Sequence, residues 1–282
     1  MIRRLAIVGV GLLGGSVAKA ARAESVAREI VGIGRDTGRL APAVQDGTLD
    51  RAEIDLARGI RDADFVVLAA PVQTLERLLP SVATAVTADA VVTDVGSTKA
   101  ALVAAAQRAA ARTPFAFVGS HPMAGSEQSG YGAARADLFR GATVIVTPGD
   151  TTEPRALKAT TMFWEGLGAR VSTLDPETHD RVVAAISHLP HLVADALVDA
   201  VARFEPAALD FAARGFRDAT RIAASDPDVW REIFLANRGA LRAGLAEFRR
   251  ALDELEALVA SGDEAALTAA LARIRGVRRG LP

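Results

Sequence analysis

Residues 9–14 read Gly9-Val10-Gly11-Leu12-Leu13-Gly14, directly after the apolar run Leu5–Val8 and directly before a helix-like stretch. Gly9 permits a tight turn, Gly11 lets the backbone approach a pyrophosphate, and Gly14 allows close packing of helix against strand. Free N–H groups at the start of that helix hold the anion. In this position the loop predicts a dinucleotide site, whereas the same spacing in isolation would indicate only a flexible loop.

Outward from this loop, the first half of the chain alternates short apolar runs with longer Ala-rich amphipathic stretches, as βαβ units do. The predicted strands are Arg4–Val8, Glu29–Ile33, Phe65–Ala69, Val91–Asp94, Phe115–Gly119, Thr143–Thr147 and Arg170–Leu174. A helix over Arg155–Leu167 begins just after Pro154. The pattern predicts an α/β fold whose first domain, residues 1–174, is a Rossmann-type, doubly wound, mostly parallel sheet.

From Asp175 onward the alternation stops, and residues 175–282 are predicted to form an all-helical dimerisation domain. Ser225-Asp226-Pro227 predicts a helix start, with a long helix following. Asp263 opens a last helix that ends in the basic tail 273–279. Six apolar residues recur at steps of 4 and 3, the spacing of a helix-packing seam: Leu241, Leu245, Phe248, Leu252, Leu255 and Val259. The seam is either an intramolecular core or the contact of a homodimer.

Composition bounds the class of protein. The 282 residues predict two domains, and the 50% of apolar residues exclude long disorder. A net charge of −1 gives no pull toward nucleic acid or an anionic membrane, so we expect neither as a partner. The absence of cysteine excludes disulfides, thiolate metal centres and a cysteine nucleophile, and we expect a cytoplasmic protein. The longest clean apolar run, Phe65–Val72, is too short for a transmembrane helix, so none is expected.

The N-terminus superficially has the charged, apolar and cleavable regions of a signal peptide, ending at Ala18-Lys19-Ala20. The glycines that interrupt it fit the dinucleotide loop better. We also expect no mutase domain before Met1 and no regulatory module after Pro282.

The end of the second predicted strand selects the cofactor. The chain there reads Gly32-Ile33-Gly34-Arg35-Asp36. If Gly34 ends the strand, Arg35 neutralises the 2′-phosphate of NADP, with Arg39 as a helper; in a longer register, Asp36 accepts the 2′-hydroxyl of NAD. We expect NADP, with NAD as the alternative. The predicted cofactor-binding residues are Gly9, Gly11, Leu12, Leu13, Gly14, Arg35, Asp36, Ala70, Pro71 and Ser97.

One of the four histidines, His121, lies in a glycine-flanked segment, 119–127, directly after a predicted strand. Open α/β folds bind their ligands at this carboxyl edge of the sheet. The segment Asp94–Lys99 ends the preceding strand at the same edge, so Ser97 is predicted to hydrogen-bond His121 and orient it as a general base. A serine hydrolase is the alternative, but the chain lacks a G-x-S-x-G elbow.

Two further stretches carry candidate binding groups. His188 and His191 share a helix face and are either a metal pair or substrate-facing histidines; because no carboxylate neighbours them at ligand spacing, we expect no metal. Arg217–Arg221 brings charge into an apolar stretch, where an arginine either clamps a substrate carboxylate or forms a surface ion pair.

Together these motifs resemble the prephenate/arogenate (cyclohexadienyl) dehydrogenase family of tyrosine biosynthesis. The matching stretches keep the family's order over nearly the whole chain: Gly9–Ser16, Asp94–Lys99, His121–Glu127 with Ser129-Gly130, Ser187–His191, and Gly215–Arg221 with Ser225-Asp226-Pro227 and Trp230. The resemblance implies a nucleotide-binding domain, a helical domain that builds a homodimer, and an active site between the two. It also implies NAD(P)-dependent oxidative decarboxylation of a small cyclohexadienyl substrate, prephenate or arogenate.

The resemblance further implies roles for individual side chains. His121 accepts or polarises the substrate hydroxyl proton, assisted by Ser97. Arg221 holds a substrate carboxylate, and His191 faces the side-chain end of the substrate. The predicted substrate-binding residues are Arg221, His191, Ser126, Glu127 and His188, and Glu127 gates the site through its charge interaction with Arg221.

Two other classes of protein would also contain the dinucleotide loop. One is another two-domain dehydrogenase, of the β-hydroxyacid or imine-reductase type, and the other is a dinucleotide-sensing protein without turnover. The presence of Ser97, His121 and Arg221 together favours the enzyme, because a sensor needs neither a base nor a carboxylate clamp.

Overall fold

The computed structural model describes residues 1–126 and 128–281. Its strands are β1 (Ile2–Val8), β2 (Ala27–Ile33), β3 (Arg51–Glu53), β4 (Phe65–Leu68), β5 (Val91–Asp94), β6 (Ala116–Pro122), β7 (Thr143–Thr147) and β8 (Arg170–Thr173). They form one sheet in the order β3-β2-β1-β4-β5-β6-β7-β8. The strand order reverses between β1 and β4, which is where doubly wound sheets open a ligand crevice.

Helices cover both faces of this sheet and continue beyond it. In the first part of the chain they are α1 (Leu12–Ala23), α2 (Thr37–Gln45), α3 (Leu56–Ile60), α4 (Val72–Ala85), α5 (Ala100–Ala110) and α6 (Pro154–Gly166). Then follow α7 (Pro176–Val183), α8 (Leu189–Phe204), α9 (Arg214–Thr220), α10 (Pro227–Ala236), α11 (Arg238–Ser261) and α12 (Glu264–Arg279). The predicted fold class, a mostly parallel Rossmann-type sheet followed by helices, is confirmed.

The sheet separates two apolar cores. On one face α1 and α6 pack against the sheet, with Trp164 and Phe139 fully buried. On the other face α3, α4 and α5 contribute residues such as Ile60, Leu75 and Leu102. Strands buried on both faces need continuous apolar runs, and Leu5–Val8 in β1 is such a run.

Strand β6 runs further than predicted and changes partners on the way. It pairs in parallel with β5 up to Val118 and then antiparallel with β7 from Gly119 to Pro122. His121 therefore lies within a strand, opposite Ile145, and the predicted loop begins only after Pro122. The strand β3 was not predicted, since three residues give no usable periodicity.

The long helix predicted after Pro227 is also corrected. Asp226 caps α10 as predicted, by accepting a hydrogen bond from the Asp228 N–H, but α10 ends at Ala236. A new helix, α11, starts after Asn237 and carries the predicted seam. Asp263 caps the last helix, α12, as predicted.

By internal packing the chain divides into residues 1–237 and 238–282. The second unit consists of α11 and α12, which contact each other. On α11, Leu252 and Val259 are 52% and 65% exposed, so these two seam residues belong to no core within the described chain. The domain boundary predicted between residues 174 and 175, where the alternation of strands and helices stops, stays a prediction.

The continuous helical run Pro176–Phe204 is long and apolar enough to cross a membrane, by length and composition only, with a mean hydropathy of 1.3 in its most apolar part. Length and composition alone do not show a membrane span, so the expectation that no transmembrane helix is present stays a prediction. The run nevertheless carries Asp180 and three histidines whose side chains are buried among other residues of the protein. Buried polar groups that have protein partners are a feature of a helix packed in a protein core.

Candidate active site

The glycine loop between β1 and α1 has the geometry of an anion cradle. Gly9 has a positive φ of 95°, a backbone conformation that residues other than glycine rarely adopt. A Cβ on Gly14 would lie 1.9 Å from the Gly9 carbonyl oxygen, so only glycine allows this close approach. A Cβ on Gly11 would meet nothing within 4 Å, which leaves the α1 N-terminus open. Among the described residues no side chain caps that end, so its first N–H groups are available to a phosphate.

The neighbouring positions predicted to bind the cofactor lie at the same edge. Leu12 and Leu13 form the first turn of α1, and Ala70 and Pro71 connect β4 to α4. Arg35 and Asp36 are exposed after the end of β2. Asp36 accepts a hydrogen bond from the Gly38 N–H at 2.8 Å, so one of its oxygens caps α2.

Three side chains form a hydrogen-bond chain that leads from the end of β6 into α7. His121 Nδ1 lies 2.9 Å from His179 Nε2, and His179 Nδ1 lies 2.8 Å from Asp180 Oδ1. His121 retains 8% exposure and His179 is fully buried. Nε2 of His121 makes no hydrogen bond within residues 1–126 and 128–281, so it is the ring nitrogen left to interact with a ligand.

Asp180 joins this chain to the rest of the protein. Its two oxygens accept the backbone N–H groups of Lys99 and Ala100, at 2.8 and 3.0 Å, where α5 begins. Burial raises the pKa of the Asp180 carboxyl, but hydrogen bonds from His179 and from these two N–H groups outweigh it, and the net pKa lies below the usual value. Asp180 is therefore ionised in the folded protein at neutral pH.

A buried ion pair lies between the ends of β5 and β6. Lys99 Nζ contacts Asp94 Oδ2 and donates to the Ser120 carbonyl oxygen at 3.0 Å, with both charged side chains fully buried. Asp94 also accepts the Ser120 N–H at 3.0 Å and the Gly96 N–H at 2.7 Å. Burial lowers the pKa of Lys99, against the attraction of Asp94.

The surroundings keep His121 neutral. Its pKa lies well below 6.5, first because burial removes water from the ring and then because His179, Lys99 and His188 disfavour a positive charge. A neutral imidazole has one lone pair with which it can accept a proton. The site thus holds a histidine in its basic form at neutral pH.

His188 ends the π-helical turn Ala184–His188, and His191 lies in the first turn of α8, which follows that turn. His191 stacks on Trp230 with ring centroids 3.4 Å apart, and its buried Nδ1 has no hydrogen-bond partner among the described residues. His188 Nδ1 lies 3.2 Å from Asn237 Nδ2, and Asn237 also donates to the Asp180 carbonyl oxygen. Burial lowers the pKa of His188 to about 4 and also lowers that of His191.

The predicted hydrogen bond between Ser97 and His121 is absent from the described structure. Ser97 is half-buried in the turn after β5, while His121 Nδ1 is engaged by His179. Ser126 is exposed, and its hydroxyl accepts the Gln128 N–H. Glu127, predicted to bind substrate and to gate the site, lies outside the described residues. Arg221 is exposed in the short helix Arg221–Ala224, which packs against α8.

The sequence reasoning missed His179 and Asp180. Both were visible as the adjacent pair that follows the helix start Asp175-Pro176, and both face inward from α7. Their partners, His121 and Lys99, are 58 and 81 residues away. A contact of that range needs the packing of α7 against α5, which no local pattern predicts.

The fold, the anion cradle and the basic histidine at the sheet edge define a class: a dinucleotide-binding protein with the parts of an oxidoreductase. Two family models match the chain, "prephenate dehydrogenase, nucleotide-binding domain" over residues 17–173 and "prephenate dehydrogenase, dimerization domain" over residues 175–273. The chain belongs to the prephenate dehydrogenase family.

Individual relatives agree with this assignment. The prephenate dehydrogenase of Bacillus subtilis is 36% identical over 280 residues, which are 98% of this chain and 75% of that one. A crystal structure of prephenate dehydrogenase from A. aeolicus with hydroxyphenyl propionate and NAD+ has a TM-score of 0.92 at 34% identity and covers 99% of this chain and 98% of that one. The Synechocystis arogenate dehydrogenase structure has a TM-score of 0.85 at 30% identity, with 98% and 99% covered.

Proposed function

We propose that this protein oxidatively decarboxylates prephenate, arogenate or both, with a nicotinamide dinucleotide as the oxidant. The observation that carries the proposal is His121, a neutral buried histidine with Nε2 open to a ligand, on the sheet edge that also carries the glycine cradle. Membership of the prephenate dehydrogenase family supports the choice of substrate.

The residues present fit the dinucleotide, because a side chain at Gly9 or Gly14 would close the turn and a side chain at Gly11 would project into open space. When bound, the oxidised nicotinamide supplies the acceptor for the hydride from the hydroxyl-bearing ring carbon. His121 Nε2 takes the hydroxyl proton as that carbon becomes a carbonyl. Loss of the ring carboxylate as CO₂ returns its electron pair to the ring, and His121 gives its proton to the resulting phenolate. Atoms and charge balance without a further reactant.

The substrate carries negative charge, and the proposal assigns its recognition to groups on the helices. Arg221 holds a carboxylate, which suits the planar fork of a guanidinium. His191, fixed by its stacking on Trp230, faces the substrate side chain with its unpaired Nδ1. Ser126, His188 and Glu127 complete the proposed substrate-binding set, and Ser97 belongs to the proposed catalytic and cofactor-binding residues.

For the cofactor we propose NADP in preference to NAD. Arg35 is exposed directly after β2, whereas an oxygen of Asp36 is occupied in capping α2. Arg35→Ala should raise KM for NADP about tenfold and leave KM for NAD unchanged, because only NADP carries the 2′-phosphate. Arg61→Ala, an exposed arginine after α3, is the matched control. An equal change for both dinucleotides would contradict the assignment.

The family match also supports three proposals about organisation and location. We propose a boundary between the two domains at residues 174 and 175; one family model ends at residue 173 and the next begins at residue 175. We also propose a homodimer and a cytoplasmic location. The second family model describes a dimerization domain, and apolar side chains such as Phe204, which is 91% exposed, lie uncovered in this region. Sedimentation of the purified protein tests the dimer, and a monomer at working concentration would contradict it.

The direct test combines the purified protein with prephenate or arogenate, each with NADP or NAD, and follows nicotinamide reduction. We expect turnover in at least one of the four mixtures, and the best pair identifies the substrate and the cofactor. Binding of the dinucleotide without turnover in any mixture would favour a sensor or a dehydrogenase of the β-hydroxyacid type instead.

A further inference from the structure

We propose that His179 and Asp180 are positioning residues that fix one tautomer of His121, with its proton on Nδ1 and its lone pair on Nε2. The inference rests on the proposed function, in which Nε2 is the proton acceptor. It concerns two residues that the sequence assigned to no site and that lie on α7, outside the sheet that carries His121.

The carboxylate of Asp180 is ionised, and an ionised carboxylate only accepts hydrogen bonds. Asp180 Oδ1 accepts from His179, so the proton of His179 is on Nδ1. In a neutral imidazole the other nitrogen then has the lone pair. His179 Nε2 is therefore an acceptor, and at 2.9 Å its partner, His121 Nδ1, is the donor. With Nδ1 of His121 protonated, the lone pair of that ring is on Nε2.

Asp180 is held in place by groups that do not titrate. The backbone N–H groups of Lys99 and Ala100 bind its two oxygens, and Asn237 binds its carbonyl oxygen. His179 is fully buried, so water does not compete for Nε2. The backbone N–H groups at the start of α5 thus hold Asp180 as an acceptor. Asp180 in turn fixes which nitrogen of His179, and then which nitrogen of His121, carries the proton.

The arrangement has a chemical consequence. In water a neutral histidine favours the proton on Nε2, the tautomer that cannot accept a proton at that nitrogen; the hydrogen bond at the other nitrogen decides which form is present. The same chain also stabilises the imidazolium formed when His121 takes a proton, because its Nδ1–H points along a path that ends at a carboxylate. The titratable groups that face His121 from other elements, namely His179, Lys99 and His188, favour its neutral form.

Nitrogen NMR on the unmodified protein reads the tautomer directly. The chain has four histidines, so histidine-selective ¹⁵N labelling gives few signals, and the pair that disappears in His121→Asn belongs to His121. We expect a protonated Nδ1 and an unprotonated Nε2 near neutral pH. A protonated Nε2, a mixture of tautomers or a doubly protonated ring would overturn the proposal. The NMR result does not depend on any turnover assay. It therefore distinguishes a wrong tautomer assignment for His121 from a wrong proposed function.

Two variants test the consequence for catalysis. His179→Leu removes the acceptor, whereas His179→Gln keeps an oxygen that can accept from His121 Nδ1. We expect His179→Leu to lower kcat by at least about tenfold, with KM for the substrate and the Kd of the dinucleotide unchanged, and His179→Gln to restore most of it. Wild-type activity in His179→Leu, or equal losses in both variants, would overturn the proposal. If His179→Leu does not fold, the tautomer measured in the wild-type protein decides.

Discussion

The three glycines of the loop after β1 are required for different reasons. Gly9 needs its positive φ, and Gly14 needs to be small because the Gly9 carbonyl oxygen lies against it. A Cβ on Gly11, by contrast, would meet no described residue within 4 Å. Free space at Gly11 has no purpose in packing. In the proposed dinucleotide site, this space would let the pyrophosphate of the ligand approach the backbone.

This difference predicts opposite phenotypes for two alanine substitutions. Gly14→Ala should lower the free energy of unfolding by about 3 kcal/mol or more, because the new Cβ would overlap the Gly9 oxygen. Gly11→Ala should cost at most about 1 kcal/mol, the price of alanine at an N-cap, but weaken dinucleotide binding at least tenfold. Denaturant unfolding and cofactor titration of both variants check this. Unchanged cofactor affinity in Gly11→Ala would refute the assignment of the loop.

The sequence predicted His121 as a site residue but not the side chain that orients its ring. His121 stands out because its segment is flanked by glycines and directly follows a predicted strand, and both are local signals. Ser97 was predicted as its partner because both follow neighbouring strands of the sheet. The structure pairs His121 with His179 instead, because β6 continues past Gly119 and turns the ring toward α7. Such a change of strand pairing depends on β7, which lies more than 20 residues further along.

Between elements, the buried pair of Lys99 and Asp94 ties the end of β5 to the end of β6. Removing one partner of a buried pair leaves the other charge without compensation. Asp94 also receives two backbone N–H groups, so the loss would spread to the turn that carries Ser97.

Lys99→Met should therefore lower the free energy of unfolding by about 3–5 kcal/mol. Lys158→Met is the matched control, because Lys158 is exposed on α6, and it should change stability by less than about 0.5 kcal/mol. Denaturant unfolding of both variants measures the difference. Equal stability of the two variants would show that the pair does not hold these strands together.

Elements with strong periodicity were predicted well, and irregular ones were not. The bounds of β5 and β7 were predicted to the residue, since Val91–Thr93 and Thr143–Thr147 are short runs of β-branched residues, which favour strands. The break at Asn237 was missed because the apolar spacing continues across it. Asn237 ends α10 through packing: its side chain binds the Asp180 carbonyl oxygen and His188, both distant in sequence.

For the whole molecule, buried histidines make stability depend on pH. His188 has a pKa of about 4 in the folded protein and an ordinary value of 6.5 when unfolded. The unfolded chain therefore binds more protons between these values, so stability is complete above pH 6.5 and is lost as pH falls toward 4. The lowered pKa values of His121 and His191 act in the same direction.

We expect the free energy of unfolding to fall by up to about 3 kcal/mol through His188 alone over this window. Denaturant unfolding at several pH values measures the fall, and His188→Phe should reduce its slope. A stability that is constant or that rises as pH falls from 6.5 to 4 would contradict the buried, neutral state of these rings.

The central claim is that His121 accepts the proton of the oxidised hydroxyl, and His121→Asn tests it most directly. Asparagine keeps an N–H that can donate to His179 but has no counterpart of Nε2. The measurement is the turnover of prephenate or arogenate with the preferred dinucleotide, set beside dinucleotide binding by the same variant. We predict a fall in kcat of about 10²-fold to 10⁴-fold with unchanged dinucleotide affinity. A variant that turns over as fast as the wild-type protein would contradict the account.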